Sequence, residues 1–420
     1  MLWVVPGQLS PGGYASRPFS LGDRLLTEPR VILHYIAWSL VPNPHALSLY
    51  HDDFPVSHSL LSPPTTLFSI AGVAALVIAA LWLRRRQPLV SLGLLWFFTG
   101  QLLTATIFNL ELVYEHRNYL PSLGLLLAAF SILALTSPVT RIRAARCGLA
   151  VGLIGLFAGI TAMRVQQWSN PLRYAAIAAA EHPNSPRATY GLGRAYAVLV
   201  DGPDSRFLPL ANRALEKAAA VPHSNILPEQ GLLLINAKEH QPLKVAWWQQ
   251  LVRKLASRPA SSQDINALYA LVDCELRNQC SFPEQAMTNV FAAALKENPR
   301  NPDIRAIYSN YTLNVVHNYA YARQLMVDSL RLAPRIAQYH INLIKLDIFL
   351  GRFYTARREI GALEQLNRFG RLDVDIRKLK RRLTQAQSTQ PARVPQSITT
   401  TSERPTANAN HASRAPSENP

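Results

Sequence analysis

The sequence predicts an all-α protein: a transmembrane helix bundle of about four spans, then a tetratricopeptide-like α-solenoid and a disordered C-terminal tail. Its 420 residues exceed what one ordinary core organises. Apolar residues are concentrated before Met163, whereas beyond it amphipathic helices alternate with Pro and Asn. We predict an outside segment with a short interfacial helix, a span domain, a repeat domain and a tail, at residues 1–64, 65–163, 164–384 and 385–420.

Four apolar segments predict membrane spans, because about 20 residues at 1.5 Å each cross roughly 30 Å of hydrocarbon. They are Thr65–Leu83, Leu89–Phe108, Leu120–Thr136 and Cys147–Met163. Basic runs at Arg84–Arg86 and Arg141–Arg146 flank the spans and, by the positive-inside rule, face the cytoplasm. The loop Asn109–Tyr119 and both termini are therefore expected outside.

The net charge of +17 does not predict a nucleic-acid partner. The basic residues flank apolar segments or are mixed with acidic ones, which suits topology signals better than a phosphate-binding face. Three cysteines are too few for a disulfide scaffold, and no second pair with metal spacing accompanies them, so we expect no metal and no cofactor. Cys274 and Cys280 are close in sequence, so in an outside domain a local disulfide is favoured over a metal site.

A shorter apolar segment, Val31–Val41, precedes the spans. It is about half a bilayer long and lies between Pro29 and Pro42, so a short interfacial or re-entrant helix is predicted. The alternative is a buried helix of a small outside domain.

Repeat signals in the second half are close to the 34-residue tetratricopeptide period. Similar phrases begin at Pro302 and Pro334, and Leu192-Gly193 followed by Tyr196 matches the core of the pattern. The stretch Ile226–Phe282 matches poorly and is predicted as helical hairpins of the same general kind. Other positions typical of the repeat are Ala322, Ser329, Leu343, Gly351 and Ala356.

A polar cluster between the second and third spans is the main candidate site. Arg117 can grip a lipid-linked phosphate, while Glu115 and His116 orient it or exchange protons, with Tyr119 beside them. The alternative is that these groups solvate a loop, with Tyr114 and Tyr119 as interfacial aromatics.

Two further pairs have competing interpretations. Asp52 and Asp53 are a possible catalytic acidic pair, but such a dipeptide is more often a solvated turn or a helix cap. Trp247 and Trp248 can stack on a sugar or a peptide, although an amphipathic helix more often buries such residues.

Three sequence phrases carry a family resemblance. The first is EHRNYLPS, from Glu115 to Ser122, and the second is Leu95-Trp96-Phe97-Phe98. The third is His51-Asp52-Asp53 followed by Pro63-Pro64-Thr65-Thr66-Leu67. These phrases resemble a group of bacterial tetratricopeptide-repeat membrane proteins. That group is similar to the C-terminal half of the TMTC-like O-mannosyltransferases, which belong to the GT-C glycosyltransferases. The resemblance covers Leu26 to about Ser122, and the repeats agree in kind.

The resemblance implies a protein of the bacterial inner membrane with periplasmic repeats. It implies part of a GT-C-like system that transfers sugar from a polyprenyl-phosphate carrier to an envelope acceptor protein. GT-C enzymes carry an essential acidic residue in an N-terminal membrane half, and we expect this chain to begin after that half. Whether it is an enzyme therefore stays open, and a non-catalytic membrane-anchored scaffold for protein binding is the alternative function.

Overall fold

A computed structural model of the chain describes Tyr14, Arg17 and residues 19–134 and 139–389. These residues form α-helices joined by turns and two short 3-10 helices, which confirms the all-α prediction. The chain divides into two compact units, one ending at Tyr339 and one beginning at His340. The N-terminal helices are α1 Leu21–Leu40, α2 Thr65–Leu83, α3 Pro88–Gln101, α4 Tyr119–Leu133 and α5 Thr140–Trp168.

Two of these helices, α2 and α5, are long and apolar enough to cross a membrane. The helices α3 and α4 have 14 and 15 residues. At 1.5 Å per residue they are about 21 and 22 Å long, less than the roughly 30 Å of bilayer hydrocarbon. The span predicted to end at Phe108 thus ends its helix at Gln101. Thr136, the predicted end of the third span, lies outside the described residues.

The end of α3 has a physical cause in a fully buried arginine on α1. Arg24 donates from its guanidinium to the backbone carbonyls of Thr106 (2.8 Å), Leu110 (2.5 Å) and Thr104. These carbonyls are satisfied by a side chain, so the loop after α3 needs no helical hydrogen bonds there. Apolar length alone overestimated this helix.

Helix α1 has 20 residues and is longer than the predicted segment Val31–Val41. It starts early because Ser20 and Asp23 form a reciprocal capping box, and Pro29 lies within it. The predicted extent was therefore wrong. The helix packs against α2 and α4, and its Val31 shares a buried cluster with Phe97.

Helices α3 and α4 approach each other backbone to backbone. A Cβ atom built on Gly93 would lie 2.4 Å from the carbonyl oxygen of Gly124. No side chain fits in that space, so glycine at both positions lets the two helices pack closely.

The remaining helices are short. They are α6 Pro171–Glu181, α7 Pro186–Ala197, α8 Leu208–Ala220, α9 Leu227–Lys238, α10 Val245–Ser257, α11 Ser262–Leu276, α12 Glu284–Glu297, α13 Pro302–Asn314, α14 Tyr319–Leu332, α15 Ala337–Phe349, α16 Phe353–Leu366 and α17 Asp373–Thr389. Alternate helices contact one another: α7, α9, α11 and α13 form one row, and α10 contacts α12.

Small residues lie at several of these helix contacts. A Cβ atom on Gly193 would lie 2.6 Å from the side chain of Leu215, so α7 and α8 need glycine there. Ala322 and Ser329 are fully buried, and the Ser329 hydroxyl donates to the carbonyl of Pro302. Small side chains therefore allow close contact between α13 and α14.

In the unit beginning at His340, helix α17 packs on α16 and continues to Thr389. Residues 385–389 are thus helical, although the sequence places them in a disordered tail. The helix is stabilised because Ile376, Leu379 and Leu383 recur at helical spacing and are buried. The rest of the predicted tail lies outside the described residues.

Candidate functional site

A cleft of about 420 Å³ lies where the end of α1, the 3-10 helix Glu115–Asn118, the start of α4 and one side of α5 meet. Residues 47–49 of the loop after α1 close it from a further side. Its lining residues are Tyr35, Trp38, Ser39, Leu47, Ser48, Leu49, Tyr114, Glu115, His116, Asn118, Tyr119, Ser122, Leu126, Phe157 and Trp168.

The 3-10 helix is held against α1 by buried hydrogen bonds. The Tyr35 hydroxyl accepts from the backbone N–H of Tyr114 at 2.8 Å and donates to its carbonyl at 3.1 Å. The Asn118 amide donates to the Ser39 hydroxyl at 2.9 Å and accepts from Gln101 at 3.0 Å. The floor of the cleft is therefore fixed by side chains from three helices.

Glu115 places a carboxylate in this cleft. Its Oε1 accepts from the backbone N–H of Ser48 at 2.5 Å and lies 3.0 Å from His51 Nε2. Its Oε2 accepts no hydrogen bond from any described residue, and the side chain is 29% exposed. One oxygen thus holds the loop, and the other remains available to a ligand.

The lining of the cleft has a polar part and an apolar part. Serines, Asn118 and Glu115 form the first, the polar wall, and Leu126, Phe157 and Trp168 form the second, the apolar wall. Leu126 belongs to α4, and Phe157 and Trp168 belong to α5. No lysine or arginine is among the described residues that line the cleft.

The predicted lipid-phosphate residues are not all brought together. Glu115, His116 and Tyr119 line the cleft, and the last two are exposed. Arg117 does not line it: its guanidinium donates to the carbonyl of Glu111 at 2.5 Å and lies 5.3 Å from the centroid of the Tyr114 ring. Its charge is directed at the protein's own loop.

The acidic pair faces α6 and α7 instead of the cleft. Asp52 accepts from the hydroxyl of Ser185 and, at 3.2 Å, from the backbone N–H of Arg187, so it caps the start of α7. Asp53 Oδ2 lies 3.1 Å from Nδ1 of His182, the residue after α6. Both carboxylates hold structural contacts.

The contact between Asp53 and His182 shifts both pKa values. Partial burial acts to raise the pKa of Asp53, but the hydrogen bond and charge of His182 outweigh it, so the pKa lies below its usual value. The hydrogen bond that His182 donates to Asp53 raises the pKa of His182 above its ordinary 6.5, against the effect of burial. The ring of His51 lies 5.4 Å from that of His182 and links this pair to Glu115.

A third carboxylate joins the two halves of the chain. Glu111 accepts two hydrogen bonds from the guanidinium of Arg187, and Arg17 approaches it at 3.4 Å. Partial burial would raise the pKa of Glu111, but these arginines hold it below its ordinary value. The loops of the N-terminal half are thus fastened to α7 by charge-assisted hydrogen bonds.

The other candidates lie in the C-terminal half. Cys274 and Cys280 form a disulfide with Cα atoms 5.3 Å apart. Trp247 and Trp248 are buried, and the indole of Trp247 donates to Glu216 at 3.0 Å, so neither ring is free to stack on a ligand. Within the described residues, no three His, Cys, Asp or Glu side chains converge as metal ligands.

Several cleft residues were missed from the sequence. Trp38 stacks on His51 with ring centroids 4.9 Å apart, and Ser48, Phe157 and Trp168 complete the walls. They come from four separate places in the chain, so local spacing could not group them. His51 alone had a signal, because it stands beside the acidic pair in the phrase that carries the family resemblance.

Comparisons with known proteins add no assignment to this geometry. No protein-family model matches the chain, and no curated protein matches it.

Proposed function

We propose that the chain is a multi-pass protein of the bacterial inner membrane that binds a lipid in this cleft and carries a helical scaffold for an envelope protein outside. The observation that carries the proposal is the pairing of a polar wall around Glu115 with an apolar wall of α4 and α5 residues. A lipid has the matching division, with a polar headgroup and an acyl chain.

Four helices take part in the proposed membrane domain. The spans α2 and α5 have the required length, and the shorter α3 and α4 pack between them through glycine contacts. Arg84–Arg86 follows α2, and Arg141 stands at the start of α5, which favours a cytoplasmic position for both ends. The cleft and the helices from α6 onward then lie outside.

The scaffold part of the proposal rests on the rows of alternate helices from α7 to α13. Stacked helix pairs of this kind give extended surfaces that bind peptides or helices. The tetratricopeptide pattern at Gly193 and the buried small residues at Ala322 and Ser329 support that class of solenoid.

The lipid test uses protein extracted in detergent, stripped of loosely bound lipid and assayed for lipid per protein chain. Leu126→Trp fills the apolar wall, and we expect retained lipid to fall. Leu149→Trp adds the same bulk at a position on α5 that does not line the cleft, so it is the matched control. Equal retention by both variants would remove the cleft as the lipid site.

The second candidate is part of a GT-C-like system that transfers sugar from a polyprenyl-phosphate carrier to an envelope protein. The aromatic rings and hydrogen-bonding groups around Glu115 favour it, because sugars stack on rings and exchange hydrogen bonds with such groups. Asp52 and Asp53 hold structural contacts, so the transferring acid would come from another chain or segment. Sugar transfer to a periplasmic protein by the purified chain alone would contradict the proposal that another chain or segment supplies the acid.

A further inference from the structure

The charge pattern of the cleft suggests which lipid headgroup it accepts. Its charged lining group, Glu115, offers a carboxylate oxygen, Oε2, that accepts no hydrogen bond from any described residue, and no lysine or arginine is among the described lining residues. A headgroup with only negative charge would therefore be repelled by the Glu115 carboxylate at short range. A positively charged group would find a partner.

Hydrogen-bond donors accompany this carboxylate. His116 follows Glu115 on the 3-10 helix, and Tyr119 begins α4; both line the cleft, are exposed and make no hydrogen bond to a described residue through their side chains. An imidazole N–H and a phenol O–H can each donate to one phosphodiester group. The cleft thus offers a negative acceptor and two side-chain donors side by side.

Aromatic rings strengthen the preference for a cation. Trp38, Tyr114 and Trp168 line the same space, and the faces of such rings attract ammonium groups. The apolar wall of the cleft then indicates that the ammonium belongs to a lipid and not to a free amine.

We propose that the cleft selects a zwitterionic phospholipid with a primary ammonium, of the phosphatidylethanolamine type. Glu115 Oε2 accepts from the ammonium, while His116 and Tyr119 donate to the phosphodiester. This inference rests on the lipid cleft of the proposed function and adds the headgroup class. It does not use Arg117, whose guanidinium is directed at Glu111.

Delipidated full-length protein in detergent can be titrated with short-chain phosphatidylethanolamine, phosphatidylcholine and phosphatidylglycerol. The fluorescence of Trp38 and Trp168 in the cleft and native mass spectrometry report binding. We expect the ethanolamine lipid to bind about tenfold more tightly than the glycerol lipid, a difference typical of one charge-assisted hydrogen bond. The affinity for phosphatidylcholine, whose headgroup has no N–H to donate, should lie between those of the other two lipids.

Glu115→Gln is the decisive variant. Its remaining carbonyl oxygen can still accept from Ser48 and His51, whereas the new NH₂ group can no longer accept from an ammonium. The ethanolamine preference should disappear while glycerol-lipid binding is unchanged or improved. Tyr119→Phe, at a side chain 78% exposed, should weaken all three phospholipids alike without altering the melting temperature.

The binding results distinguish the headgroup class from the lipid cleft of the proposed function. Binding without headgroup preference, or a preference for the glycerol lipid, overturns the ammonium assignment and leaves the lipid cleft. Tighter binding of a short-chain polyprenyl phosphate also overturns it and supports the transferase-like system. Equal binding of free phosphoethanolamine would show a soluble amine ligand. No binding of any lipid removes the lipid cleft itself.

Discussion

Arg24 is the residue whose replacement should damage the N-terminal half most. It is fully buried, donates to the backbone carbonyls of Thr104, Thr106 and Leu110, makes a longer contact of 3.5 Å to the carbonyl that Arg117 also contacts, and forms an ion pair with Glu28 one helical turn away. Arg24→Leu keeps the bulk of the stem but leaves three carbonyls and one carboxylate without this partner. Each orphaned buried polar group costs about 1–3 kcal/mol, so the loss should reach about 4 kcal/mol even at the low end.

A loss of that size should lower the melting temperature by about 8 °C, taking about 2 °C per kcal/mol for a large domain. The assay is thermal unfolding of the full chain in detergent, followed by circular dichroism. Arg253→Leu, at an exposed position on α10, is the control and should shift the transition little.

The double variant Arg24→Leu with Glu28→Leu separates the two contributions. Removing the Glu28 carboxyl group with the arginine should recover part of the loss, because this buried polar group is then no longer left without its partner. The three carbonyls remain without their donor, so recovery should stay incomplete. If Arg24→Leu melts like the control, the loop after α3 is not held by this side chain.

Three further predictions concern topology, pH and the phosphate ligand. In cells, a membrane-impermeant thiol reagent should label Val198→Cys and not Arg85→Cys in a background without Cys147; the reverse pattern would invert the topology. His182→Gln should lower the melting temperature most between about pH 4 and 6.5. Folding raises the pKa of His182, so the contribution of this group to stability is complete below the unfolded pKa and is lost as pH rises through the folded pKa. Folding lowers the pKa of Asp53, so the contribution of that carboxylate is lost as pH falls through its folded pKa. A difference that grows above pH 8 would contradict this sign. Arg117→Ala should lower stability while polyprenyl-phosphate binding stays unchanged. If Arg117→Lys and Arg117→Ala both lose this binding equally and keep their stability, the phosphate role predicted from the sequence is restored.

The sequence predicted helices well because apolar length and amphipathic periodicity are local properties. Thr65–Leu83 was predicted with the bounds that the structure has. Arg24 had no such signal, because the carbonyls that it contacts lie at least 80 residues away in the sequence. The loop that follows α3 depends on these contacts of Arg24, so the residue at which α3 ends could not be predicted from the apolar composition of the segment.

The candidate site was predicted in part for the same reason. Glu115, His116 and Tyr119 are neighbours in sequence, and their shared place in the cleft follows from one loop. The direction of Arg117 depends on a backbone carbonyl and a ring, which residue type alone does not specify. Asp52 accepts from the hydroxyl of Ser185, the N-cap of the helix that begins at Pro186, a partner that lies 133 residues away in the sequence.

Helix α5 also bears on how the proposed membrane domain would meet bilayers of different thickness. It is long and apolar enough to cross a membrane, but its uncharged stretch Cys147–Met163, between Arg146 and Arg164, is about 26 Å long at 1.5 Å per residue. That length is less than the roughly 30 Å of bilayer hydrocarbon. A stretch shorter than the bilayer is accommodated by local thinning and by flanking side chains that reach the interface. In the proposed topology, a thicker membrane would therefore thin around α5, with Arg146 and Arg164 extending toward the headgroups at its two ends.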